Sequence, residues 1–137
     1  MKFGEKVKAL RNQKKMSQGE LAKAIGVSPR TVLYYEQGES YPRNREIYRR
    51  LAELFEVPMN HLLTEDEEFI TAATEKYGRR GQSQAQEILD QTAAMFAGGE
   101  LSEEDQLAFI HEMQHIYFDS KERAKKFTPK KYRKDNE

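Results

Sequence analysis

Cysteine and tryptophan are missing from this 137-residue chain, and proline occurs only four times. Without Cys there is no disulfide framework, no thiolate zinc finger and no Cys nucleophile. No apolar run approaches the roughly 20 residues needed to cross a bilayer, which excludes a membrane-spanning helix. The opening Met1-Lys2-Phe3-Gly4-Glu5-Lys6 turns amphipathic at once and offers no apolar core for a secretory signal, so the expected location is the cytoplasm. Sustained apolar/polar alternation, the mark of strands, is absent as well. The length allows one compact domain or two small ones.

Charge of one sign is lacking overall, since the formal net charge is zero, but it is unevenly spread. Residues 1–63 carry 12 Lys and Arg against 7 Asp and Glu, a net of +5. Residues 64–119 carry 3 against 13, a net of −10, and residues 120–137 carry 8 against 3, again +5. Such asymmetry suggests separate tasks for the segments, with a nucleic acid or a membrane surface as candidate partner of the basic part.

What is present is helical periodicity. Phe3, Val7 and Leu10 fall on one face, as do Leu21, Ala22 and Ile25, and then Ile47, Leu51, Leu54 and Phe55. Later stripes are Phe69, Ile70, Ala73 and Tyr77, and Ala85, Ile88, Leu89, Thr92 and Phe96. These spacings predict an all-α fold. Ser17-Gln18-Gly19-Glu20 is a capping box with Met16 and Leu21 at the staple positions. Ser28 repeats the device with Pro29 at the first helical position, and Gly26 between them can end one helix in the left-handed conformation. Two short helices joined by a Gly-containing turn have a helix-turn-helix outline. The acidic run Thr64-Glu65-Asp66-Glu67-Glu68 suits a helix start and marks the expected boundary between a first domain, 1–64, and a second helical segment, 65–127. Within that segment Gly78-Arg79-Arg80-Gly81-Gln82-Ser83 and Gly98-Gly99 are expected to be loops, and Ser102 is expected to cap a helix over roughly 103–126. About three amphipathic helices result. Residues 128–137, with Lys130-Lys131-Tyr132-Arg133-Lys134, are expected to be a solvated basic tail.

The motifs Val7-Lys8-Ala9-Leu10-Arg11, Ser17-Gln18-Gly19-Glu20-Leu21-Ala22, Gly26-Val27-Ser28, Thr31-Val32, Tyr35-Glu36-Gln37-Gly38 and Pro42 follow one another in order, ending in Leu51-Ala52-Glu53-Leu54-Phe55-Glu56-Val57 and Leu62-Leu63. Over residues 3–63 this resembles the Cro and lambda-repressor-like (XRE) helix-turn-helix family of prokaryotic and phage DNA-binding proteins. The resemblance implies a five-helix bundle whose third helix, about Ser28–Gln37, enters the major groove of double-stranded DNA. It implies base-reading positions at Pro29, Arg30, Thr31, Leu33 and Tyr34. Arg30 is the candidate for a guanine, because its fork can donate to both O6 and N7. Thr31 and Tyr34 suit a thymine methyl or a phosphate. Ser17 and Gln18, then Gln37, Ser40, Arg43 and Asn44, are the implied backbone contacts, with Arg45 adding positive charge. Arg11 and Glu36 are implied to form an ion pair between the first and third helices, a structural role. Leu33 departs from the small polar residue usual there and Tyr34 from a charged or small one. Leu33 either touches a thymine methyl or packs inward.

One further motif points elsewhere. His111-Glu112-Met113-Gln114-His115 matches H-E-x-x-H, the zinc hydrolase helix in which two His bind metal and Glu polarises water. A third ligand is wanting, with only Asp119 or Glu122 near on the same helix. The apolar residues Phe109, Ile110, Met113, Ile116 and Tyr117 cluster opposite the two His. The expectation is therefore solvent-facing His, no metal, no cofactor and no catalysis. The second segment is expected to form a homodimer through roughly residues 83–126, because repressors of this type hold two recognition helices ~34 Å apart. The expected function is a dimeric transcriptional repressor reading a palindromic operator, of the type found on phages and mobile elements. The alternative is an antitoxin or regulator whose helical half holds a partner protein.

Overall fold

The computed structural model describes residues 2–127, so the basic tail expected over 128–137 lies outside the described residues. Among the described residues all regular structure is helical. The elements are α1 (Phe3–Gln13), α2 (Gln18–Ile25), α3 (Pro29–Gln37), α4 (Arg45–Phe55), α5 (Met59–Leu62), α6 (Glu65–Phe96) and α7 (Glu103–Lys126). None of these helices is long and apolar enough to cross a membrane.

The chain divides into two compact units between Ala72 and Ala73. In the first, Phe3 and Val7 of α1, Leu21, Ala22 and Ile25 of α2, and Val32 and Tyr35 of α3 are buried together with Tyr48, Leu51, Phe55, Leu62 and Leu63. The Phe3 ring stands at the centre of an aromatic group, 5.8 Å from Tyr35, 5.8 Å from Tyr41 and 5.2 Å from Tyr48. Each fully buried side chain of this size stabilises by about 1.5–3 kcal/mol, so this cluster is what holds α1, α3 and α4 in place. The first turns of α6 belong to this unit as well. Arg45 Nη2 donates to Glu68 Oε2 at 2.8 Å, and the Tyr48 phenol lies beside Thr71 and the buried carboxyl of Glu67. Burial pushes both Tyr48 and Glu67 above their ordinary pKa values. These contacts carry the boundary past the acidic run at residues 64–68.

In the second unit the expected loop over residues 78–83 is not found. Two helical stretches of α6 meet there at a kink, where Gly78 alone departs from helical geometry, at φ 67° and ψ −152°. A single Gly at positive φ, in an extended region essentially closed to other residues, is enough to bend the chain there. Gly81 has a different use. A Cβ on it would stand 2.3 Å from the Ala73 carbonyl oxygen and 2.8 Å from Tyr77 Cβ, so its missing side chain allows a close backbone approach. Ser102 accepts from the Asp105 amide at 3.1 Å and opens α7. Tyr117 donates to Gln84 Oε1 at 2.8 Å and Phe96 meets Phe109 edge-on at 5.7 Å, which ties α7 to the later part of α6.

Candidate nucleic-acid interface

The corner between α2 and α3 is built from local hydrogen bonds. Ser17 Oγ accepts from the Glu20 amide at 3.0 Å while Glu20 Oε1 accepts from the Ser17 amide at 2.9 Å, closing the capping box. These same bonds hold the Glu20 carboxyl below its usual range. Gly26 takes φ 81°, its amide donating to the Ala22 carbonyl. Arg50 Nη1 of α4 donates to the Ile25 carbonyl at 3.0 Å, satisfying an orphan acceptor at the end of α2. Ser28 Oγ accepts from the Thr31 amide at 3.1 Å, and its oxygen also lies 2.9 Å from Thr31 Oγ1. With Pro29 at the first position, α3 therefore starts at a fixed place and direction.

Helical spacing then sorts α3 into two faces. Val32 and Tyr35 point into the core, while Pro29, Arg30 and Gln37 are exposed and Thr31, Leu33 and Tyr34 are half-buried. The Arg30 guanidinium carbon lies 5.9 Å from the Tyr34 ring centroid, one helical turn on. Leu33 is thus neither fully outward nor packed away.

The far end of α3 is held by charge. Arg11 Nε donates to Glu36 Oε2 at 2.6 Å and Arg11 Nη2 to Glu36 Oε1 at 3.0 Å, a bidentate pair whose side chains are 12% and 4% exposed. The remaining fork nitrogen, Nη1, donates to the Met16 carbonyl at 2.8 Å. Gln18 Nε2 adds a third donor to Glu36 at 3.1 Å. The Glu36 carboxylate raises the Arg11 pKa further. One carboxylate thus ties α1, α2 and α3 together, and Gln18 turns inward to join it.

Beyond α3, Gly38 ends the helix at φ 78°. Ser40 is half-buried, and Arg43 and Asn44 are exposed. Asn44 Oδ1 caps α4 by accepting from the Ile47 amide at 3.2 Å. Arg43 sits near the Tyr35 phenol, whose pKa burial pushes up to about 12 despite that cation. The basic residues of the unit do not all share one state. Arg45 is paired with Glu68, and Arg49 and Arg50 are paired with Glu46. Arg30 and Arg43 form no ion pair among the described residues and lie on the outside.

The H-E-x-x-H motif is placed on the exposed side of α7, with His111, Glu112 and His115 outward and Phe109, Ile110, Met113 and Tyr117 half-buried on other sides. Among the described residues no three His, Cys, Asp or Glu side chains converge on a possible metal position. Two residues that sequence spacing did not single out shape the corner. Gly4 of α1 abuts the last carbonyls of α3, and Arg50 caps α2. Neither carries a local sequence signal, because each acts on a segment far away in the chain.

Two short helices meeting at a left-handed Gly, with the second presenting a cation and an aromatic ring outward, define a helix-turn-helix unit. Residues 7–62, within the N-terminal unit, match the helix-turn-helix family model. The HTH-type transcriptional activator BcrR of Enterococcus faecalis is 35% identical over 75 residues, covering 55% of this chain and 36% of that protein. The cryptic phage CTXphi transcriptional repressor RstR of Vibrio cholerae is 35% identical over 65 residues, 47% of this chain and 58% of that protein. The immunity repressor protein of Bacillus phage phi105 is 23% identical over 144 aligned positions, covering 100% of this chain and 99% of that protein. The chain thus matches 36% and 58% of the lengths of the first two of these relatives. No solved structure matches the chain significantly.

Proposed function

We propose that the chain is a sequence-specific, cytoplasmic DNA-binding transcriptional regulator, acting as a homodimeric repressor on an operator with two-fold symmetry. The observation that carries this reading is the outer face of α3, where Arg30 and Tyr34 stand exposed or half-exposed on a helix rigidly capped at both ends. A helix fits the major groove, and its leading residues reach base edges. Arg30 lies within cation–π reach of Tyr34, at 5.9 Å, which biases its guanidinium toward the outer face before a bidentate contact to guanine forms. Pro29, Thr31 and Leu33 complete the base-reading edge. Ser17, Gln18, Gln37, Ser40, Arg43 and Asn44 flank it as phosphate contacts, with Gln18 and Asn44 also serving the fold. The names of the relatives, two repressors and one activator, agree with a role in transcription. The reading calls for no catalytic step and no cofactor.

Dimerisation is supported by the thinness of the second unit. Among its described residues Ala73, Ala85 and Thr92 are the buried side chains, and α7 buries none over 24 residues. Met95, Leu101, Leu107, Ile116 and Phe127 are exposed instead. A helical pair with so little interior cannot offset its own ordering entropy, and a second copy supplies the missing cover through roughly residues 83–126.

Two substitutions test the division of labour on the DNA face. Arg30→Ala is expected to weaken binding to the selected operator by ~1–3 kcal/mol and to relax preference at one base pair, leaving affinity for random duplex nearly unchanged. Arg43→Ala is expected to weaken both alike and to reduce the slope of log K against log salt by about one. Filter-binding or fluorescence-anisotropy titrations at several salt concentrations decide it, and equal losses on both DNAs for Arg30→Ala contradict the base-reading role.

A further inference from the structure

The charges of the second unit are sorted by position. Residues 81–118 hold seven carboxylates and no Lys or Arg. Four of the seven, Glu100, Glu103, Glu104 and Asp105, gather at the turn into α7, all exposed. The cations lie at the opposite end. Lys76, Arg79 and Arg80 flank the Gly78 break, and Lys121, Arg123, Lys125 and Lys126 occupy the last turns of α7. The two cationic groups come together in space. Lys121 Nζ stands 5.2 Å from the Tyr77 ring centroid, and Tyr77 donates to Glu122 Oε1 at 2.9 Å. Burial and the neighbouring Arg80 lower the Lys121 pKa, as expected where like charges are crowded. Among the described residues the acidic groups at that end are Asp119, paired with Arg123 at 2.9 Å, Glu122, and Glu75.

α7 therefore runs from an acidic start to a basic end. At 1.5 Å per residue its 24 residues span ~36 Å, several times the Debye length of about 8 Å at physiological ionic strength. The two ends of one copy cannot neutralise each other across that distance. Between them Met113, half-buried, and Ile116, exposed, continue the side of the helix on which Phe109 meets Phe96 of α6, and Phe127 lies further along. Ile116 is 46% exposed and Phe127 86%.

We propose that this stripe is covered by α7 of a second copy lying antiparallel to it, so that the acidic start of each helix faces the basic end of the other. The proposal rests on the dimeric reading above and adds its geometry. A two-fold axis crosses α7 near Met113, making the contact self-complementary. A parallel arrangement would set Glu103, Glu104, Asp105 and Glu112 of one copy beside the same four carboxylates of the other, and like charges juxtaposed across an interface are strongly unfavourable. The antiparallel one pairs opposite charges at both ends and opposes the helix dipoles favourably. The same surface thus selects a copy of itself and fixes its direction.

Charge reversal with rescue tests it on the full chain. Glu103→Lys with Glu104→Lys forms one variant, and Arg123→Glu with Lys126→Glu forms the other. Sedimentation equilibrium is expected to show each variant self-associating about tenfold or more weakly than the wild type, while an equimolar mixture returns to wild-type affinity as a heterodimer. The wild type provides a second readout that needs no substitution, since added salt weakens an antiparallel dimer and strengthens a parallel one. Dimers indifferent to both reversals, or tightened by salt, overturn the antiparallel arrangement while leaving dimerisation standing. A wild-type chain that stays monomeric at micromolar concentration overturns both.

Discussion

Gly4→Ala is expected to destabilise the N-terminal unit by about 3 kcal/mol, at the upper end of what overpacking typically costs, although alanine is the better helix former. The reason lies outside α1. A Cβ at position 4 would stand 2.1 Å from the Tyr35 carbonyl oxygen and 3.1 Å from that of Glu36, both backbone atoms that no rotamer change can move. To admit it, α1 must lift from the end of α3, and the Phe3 contacts with Tyr35, Tyr41 and Tyr48 must loosen together. For a unit of this size the loss corresponds to a drop in melting temperature on the order of 15 °C. Gly19→Ala is the control. Gly19 also lies in a helix, but its nearest neighbour is Ser17 Oγ at 3.8 Å, so Ala there should stabilise by about 0.5–1 kcal/mol. Thermal melts of the two variants should move in opposite directions. A Gly4→Ala melt within a degree or two of wild type would contradict the close approach of α1 to α3.

The second large effect is expected at the ion pair. Arg11→Met leaves the Glu36 carboxylate, 4% exposed, with Gln18 as its remaining side-chain donor, and also frees the Met16 carbonyl. Removing one member of a buried pair typically costs about 3–5 kcal/mol, whereas replacing both members by apolar residues is often close to neutral. Arg11→Met combined with Glu36→Leu should therefore recover most of the lost stability, a strongly non-additive double-mutant cycle in denaturant. What the double variant should not recover is DNA discrimination, because the pair sets the angle at which α3 leaves the core. Additive losses would show that the pair acts as two independent surface charges.

Much of the first unit was legible in the sequence because its devices are local. Ser17 with Glu20, Ser28 with Pro29, and Gly26 each act within four residues, so spacing alone announces them. The helix from Ser102 was legible for the same reason. The stretch from Gly78 to Ser83 was misleading because two glycines in four residues normally mark a loop. Here they serve separate ends, one supplying positive φ and the other a close contact, with helix on both sides. The roles of Gly4, Arg50 and the inward turn of Gln18 were hidden, since each depends on a partner 18 to 31 residues away in the chain. Charge sorting in the second unit was visible as a net sum. That its cations share one end became plain only when Tyr77 and Lys121 were seen together.

The central claim is that the outer face of α3 reads bases. Selection of duplexes from a random pool by the full-length protein tests it most directly, run in parallel with Arg30→Ala. The predicted result is enrichment of two inverted half-sites whose centres lie about one helical turn, roughly 10 base pairs, apart, with one guanine per half-site losing its preference in the variant. A wild-type pool that remains random while DNA is demonstrably bound, or an enriched motif that Arg30→Ala leaves untouched, would contradict it.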